Sequence, residues 1–182
     1  MHFITTEGPV VGGWDATMGS KSLTRSWART MIQRWGGQSK ETNSLVGQKD
    51  GMDVTRLTVL YRRPGYDLGD VIRWRDRLWA VSAWQKDGPI LLATDRREKT
   101  GASWRDLEKS IVISRFSEQI EVDVLNRDDS AAEFMDPRDF HMQTIRLPYD
   151  DDGSQPRLRI GWVTDAWMAL PRVRNTDEGK GA

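Results

Sequence analysis

Between residues 69 and 97 apolar and polar positions alternate with a period of two. Ile72 and Trp74 stand two apart, as do Trp79, Val81 and Ala83, the spacing of side chains that share one face of a pleated strand. Arg75-Asp76-Arg77 is a polar break of hairpin-loop length. Lys86-Asp87-Gly88-Pro89 makes a second turn before Ile90-Leu91-Leu92-Ala93. The pattern predicts a three-stranded antiparallel meander. So short a sheet must bury its apolar face, by curling into a small SH3-like β-barrel or by packing on another sheet.

Upstream the pattern weakens. Residues 1–19 carry five Gly or Pro and no sustained period, which predicts an extended arm. Gly19-Ser20-Lys21-Ser22 offers N-cap candidates for a helix over 20–35, with Trp27, Met31 and Trp35 on one stripe and Leu23 and Ile32 beside it. Gly36-Gly37 would stop it; a strand through Leu23–Trp35 is the competing reading. Residues 36–52 read as an exposed loop completing an N-terminal region 1–52. Val54, Leu57, Val59 and Tyr61 mark a strand over Asp53–Arg63, ended by Pro64-Gly65, and the barrel core is expected over 53–97.

Downstream, residues 98–174 are expected to add strands to that core. Thr100–Lys109 reads as a linker or short helix, with Ser103 as cap and Trp104 and Leu107 as its apolar side. Ser110–Phe116 and Gln119–Leu125 alternate around Ser117-Glu118 and predict a hairpin. Asn126–His141 is acidic and irregular. Met142–Leu147 and Pro156–Val163 read as strands flanking a long loop, Asp165–Val173 as a last strand, and 175–182 as a polar tail. The fold class expected is mainly β, a small SH3-like barrel core with additional hairpins and one short helix.

Composition narrows the function classes. With 182 residues and 37% hydrophobic content, one domain with an elaboration is expected. Nine Trp are read mostly as core residues. The 27 basic and 27 acidic residues cancel, so no global basic field draws in nucleic acid or an anionic membrane. The absence of Cys excludes disulfides and thiolate metal sites. MHFITTEGPVVGGW lacks a signal-peptide pattern and no run reaches membrane-spanning length, so a soluble chain, cytoplasmic or packed into a larger assembly, is expected. Arg exceeds Lys and Asp exceeds Glu, which fits a GC-rich codon bias or the use of guanidinium groups at protein contacts.

Candidate chemistry is sparse. No P-loop, G-x-S-x-G elbow or Cys nucleophile is present. A His-based metal site would have to join His2 to Asp139-Phe140-His141. Asp150-Asp151-Asp152-Gly153 offers oxygens to a hard cation but lacks EF-hand spacing, and it reads as a solvated turn, as do Asp128-Asp129 and Asp136–Asp139. No catalytic residue, cofactor or metal is expected. Arg73, Arg75 and Arg77 interleave with Trp74 and Trp79, as in a groove that stacks single-stranded bases. The same alternation describes an amphipathic sheet with Trp inward and Arg outward, the stronger reading.

The run V-T-R-L-T-V-L-Y, then G-D-V-I-R-W-R-D-R-L-W-A-V-S-A-W and D-G-P-I-L-L, within Asp53–Arg97, resembles the stopper or head-completion type of head–tail connector protein of tailed bacteriophages. The resemblance covers about a quarter of the chain. It places Gly69, Asp70, Ile72, Trp74, Trp79 and Val81 in a barrel hairpin, and implies a ring-forming structural protein of the virion, assembled in the host cytoplasm. Implied partners are further copies of itself, portal, adaptor or tail proteins, and non-specific DNA in a channel; no membrane is implied. The strands after Ser110 depart from the compact form of that family, which keeps tail, tail-terminator and capsid-decoration roles open. A single-stranded nucleic-acid-binding barrel is the alternative from another class. Trp14, Trp27, Trp35, Arg62, Arg63, Arg96 and Arg97, as Trp and Arg outside the barrel signature or at strand ends, are the expected interface anchors.

Overall fold

A computed structural model describes residues 4–173; His2 and the polar tail expected over 175–182 lie outside them. Strands account for 52% of the structure and helix for 11%, so the protein is mainly β. It divides into two compact units, Met1–Arg63 and Pro64–Ala182.

In the first unit β1 (Ile4–Val10) and β2 (Gly13–Met18) pair antiparallel, where the Gly- and Pro-rich composition predicts an arm. Gly12, at φ 79°, makes the tight turn between them. Helix α1 (Lys21–Trp35) follows. Ser20 caps it by accepting from the Leu23 amide at 3.2 Å, and Gly36, at φ 68°, ends it while its amide donates to the Ile32 carbonyl. These caps decide for the helix over the competing strand. β3 (Gln38–Lys49) and β4 (Met52–Arg62) then form a long antiparallel ribbon. Residues 38–49, expected as a loop, are strand because β4 supplies every ladder partner; all twelve positions are exposed, so no apolar alternation marks them. The strand over Asp53–Arg63 therefore belongs to this unit, and the boundary lies after Arg63 rather than before Asp53.

The meander is present in the second unit as β5 (Val71–Trp74), β6 (Arg77–Gln85) and β7 (Gly88–Ala93). Arg75 and Asp76, at φ 51° and 57°, form the first turn in the left-handed geometry that two-residue hairpins require. With β8 (Lys99–Gly101) and β9 (Ile111–Ser114) the strands order β8-β7-β6-β5-β9. Among the described residues no closed barrel is found; the sheet keeps two edges, blunted by strands only three and four residues long. Ile72, Trp79, Val81 and Leu91 form its core with Tyr66 and Leu107. A bulge between Val81 and Ala83 breaks the period of two, and beyond it Trp84 packs against the core.

After a 3-10 turn at Phe116–Glu118, β10 (Ile120–Asp123) pairs with β14 (Arg157–Val163), which pairs with β15 (Ala166–Ala169). β11 (Asn126–Arg127), β12 (Ala131–Met135) and β13 (Met142–Arg146) form another sheet. Two expectations are corrected here. Ser110–Phe116 and Gln119–Leu125 do not form a hairpin, since β9 joins β5 and β10 joins β14. The acidic stretch 126–141 is not irregular: Ala132 and Phe134 turn inward to a second core with Val122, Ile145, Leu158 and Ile160.

The Gly69-Asp70 step ties the meander to the 3-10 turn at Phe116–Glu118 and its flanking residues. Gly69 sits at φ 85°, where an added Cβ would meet the Phe116 ring at 2.2 Å. The Asp70 carboxylate, 2% exposed, accepts from the amides of Phe116 at 2.7 Å and Asp67 at 2.9 Å and from Arg115 at 3.1 Å. The Gly69 carbonyl accepts from Gln119 at 2.8 Å.

Candidate assembly surface

Ala28 is the one buried hydrophobic side chain among described residues of the first unit. Helix α1 covers one face of the β3–β4 ribbon. Tyr61 donates to the Gly36 carbonyl at 2.8 Å and meets the Trp27 ring edge-on at 6.1 Å, Arg25 pairs with Glu41 at 3.0 Å, and Lys21 bonds Thr55. The opposite face and both hairpin ends stay open. Val10, Val11 and Trp14 crowd the β1–β2 turn, with Val11 fully exposed and Trp14 63% exposed. Leu45, Val46, Met52 and Val54 do the same at the end of the ribbon. Two-stranded ribbons are marginal in water, and exposed apolar clusters on strand edges mark surfaces that take partners.

The expected anchors fall on both units. Trp14 projects from β2 into solvent, whereas Trp27 spends part of its ring on Tyr61 and stays 37% exposed. Trp35 is half-buried, with the Arg34 and Arg63 guanidinium groups 4.9 and 5.9 Å from its ring. Arg62 is exposed at the end of β4. Arg96 and Arg97 lie in the second unit, where Arg96 is held by Glu98 at 2.8 Å and Arg97 is exposed. The interleaved tryptophans and arginines of the meander are used internally. Trp79 is buried, and Arg75 and Arg77 lie 4.3 and 4.7 Å over the rings of Trp74 and Trp79.

Charge divides with the units, which the whole-chain balance conceals. In Met1–Arg63 nine Lys and Arg against five Asp and Glu leave a net +4; in Pro64–Ala182, 18 against 22 leave −4. Many second-unit carboxylates are engaged by their own chain. Arg127 pairs with Asp151 at 3.1 Å, and Ser154 holds the Asp152 carboxyl down to about 2 through hydrogen bonds. His141 pairs with Asp139 at 3.3 Å, and among the described residues no group of three metal-ligating side chains occurs.

A second exposed feature lies between β12 and β13. Asp136, fully buried, accepts from the Arg138 amide and guanidinium at 2.7–3.0 Å and from Trp167 at 2.8 Å, and the Arg138 bonds hold its carboxyl well below the usual range. Arg138 in turn lies 3.8 Å over the Trp162 ring. This pinned loop displays Phe140 at φ 60°, 72% exposed, between exposed Met135 and Met142. Its acidic sequence carried no sign of an apolar tip.

No family model matches the chain, and a search of curated proteins finds no match. Among the described residues no helix is long and apolar enough to cross a membrane.

Proposed function

We propose that this chain is a non-enzymatic structural protein of a phage particle, part of the head–tail connector, that assembles through its first unit. The observation that carries the reading is the near-absence of a core in that unit: long paired strands and apolar hairpin ends are presented outward, with Ala28 as the one buried hydrophobic side chain described there. The Gly-Asp motif that underlies the connector resemblance has an architectural job, joining the meander to Phe116, which suits a structural protein. Trp14, Val11 and the end of the β3–β4 ribbon are the contact residues in this reading. Further copies of the chain and a portal or tail protein are the partners.

Native mass spectrometry of the full chain, alone and mixed with portal and tail proteins, tests it. Rings or stable complexes are expected. The variant Trp14→Ser should weaken them at least tenfold while leaving the unfolding midpoint unchanged, since that side chain has little to lose in the monomer. A strict monomer with no affinity for either protein would overturn the proposal.

A further inference from the structure

We propose that the outer face of the β3–β4 ribbon binds the phosphate backbone of duplex DNA. Directly opposed residues of an antiparallel pair share a face. The register pairs Gln38 with Arg62, Lys40 with Leu60, Ser44 with Arg56 and Lys49 with Met52. Tyr61, Glu41 and Thr55, which alternate with these positions, are the ones bonded to or packed on α1. Lys40, Lys49, Arg56 and Arg62 therefore line the face turned away from the helix.

The carboxylates of the two strands fall on the other side. Glu41 pairs with Arg25, and Asp53 accepts from Gln48, its opposite neighbour, at 2.9 Å. The shift in register between Leu45 and Gly47 brings Lys49 back into phase with Lys40; without that bulge it would face the helix. Asp50 sits in the end turn, outside the paired register. None of the four cations has an ion-pair partner among the described residues. A row of unpaired cations with no acid between them is a polyanion-binding surface.

The dimensions favour a duplex. Eleven opposed pairs, at about 3.4 Å each, run about 37 Å, close to one turn of B-DNA. A two-stranded ribbon fits the major groove. Thr42, Ser44 and Thr58 on this face can donate to phosphate oxygens between the cations, and Leu60 can meet a thymine methyl. An acidic surface on a second copy is the weaker occupant, because carboxylates of the second unit such as Asp70, Asp123 and Glu121 already hold Arg115, Arg157 and Arg159.

The test is fluorescence anisotropy of the full chain with a labelled duplex of about 20 base pairs across a salt series. Four phosphate contacts predict a slope of log K against log[salt] of about −3.6, and Lys40→Gln with Arg56→Gln should halve it to about −1.8. Arg105→Gln with Lys109→Gln, on exposed positions of the second unit, should leave it unchanged. Bound DNA should also shield Lys40 and Lys49 from amine-reactive labelling in the unmutated protein, a readout independent of whether the variants fold. Absence of binding at low salt, equal loss in the control variant, or unshielded lysines would overturn the proposal. So would loss of self-association in the Lys40/Arg56 variant of a chain that never bound DNA, which would assign the face to a protein. Association with portal or with itself is read separately, so this inference and the structural role can fail independently.

Discussion

Replacing Asp70 with alanine removes three acceptor contacts at once from the step between the meander and Phe116. Two of the donors are the backbone amides of Phe116 and Asp67, both of which would lose this acceptor in a part-buried site. An unsatisfied buried amide costs about 1–3 kcal/mol. The third donor, Arg115, is 44% exposed and keeps the Gly65 carbonyl at 3.0 Å, so its share is discounted to under about 1 kcal/mol. Together the loss is about 2–7 kcal/mol, a large part of the 5–15 kcal/mol that holds a typical domain together. Asp70→Asn keeps one acceptor oxygen and the side-chain shape, and should cost about 1–2 kcal/mol. Urea unfolding followed by tryptophan emission reads both, since Trp74, Trp79, Trp84 and Trp104 all lie in or against the adjoining core. The comparison is the shift of midpoint at unchanged slope. An alanine variant that loses less than about 1 kcal/mol would refute the reasoning. An asparagine variant as damaging as alanine would show that the charge, rather than the amide contacts, sustains the step.

Three further outcomes follow from single residues. Gly88→Ala would place a Cβ 1.7 Å from the Ala102 carbonyl oxygen on rigid backbone, so a loss of at least about 3 kcal/mol is expected in thermal unfolding, and an unchanged melting temperature would contradict it. Asp136 has its carboxyl lowered from 3.8 in the folded protein, so its stabilisation is full above that pH and is lost as pH falls below it. The stability difference between wild type and Asp136→Asn should therefore shrink in acid; a difference that widens below pH 3.8 would refute the assignment. Burial pushes the Tyr66 hydroxyl up to about 12, and burial with the neighbouring Asp150 raises Tyr149 as well. Alkaline ultraviolet titration should show a last step near pH 12 that disappears in Tyr66→Phe, and the persistence of that step would be inconsistent with the burial.

Legibility varied along the chain for physical reasons. The meander was readable because Ile72 and Trp74 on one strand, and Trp79 and Val81 on the next, recur every second residue, and because turn chemistry at Arg75-Asp76 and Lys86-Asp87 is local. The helix was readable from Ser20 and Gly36, which act within one turn of its ends. β3 was not, because a strand exposed on both faces needs no apolar alternation and owes its existence to the ladder from β4. β9 and β10 misled for the opposite reason. Their local pattern suits a hairpin, but Asp70 takes the Phe116 amide and Arg115, and the two strands leave for different sheets. Of the candidate surface, Trp14 and Arg62 were chosen by residue type alone. The face shared by Lys40, Lys49, Arg56 and Arg62 could not be read, since the bulge that sets its phase is invisible without the pairing register.

What the amino-acid sequence determined by itself is therefore the set of interactions that close within a few residues: periods of two and of 3.6, helix caps, two-residue turns, and with them a mainly β chain carrying one helix. Which strands pair, that the meander stays an open sheet, and that zero net charge divides into +4 and −4 units were decided only by the tertiary structure. Strand pairing joins residues far apart in the chain through backbone groups that every residue carries, so side-chain pattern states that a strand is present without stating its neighbour.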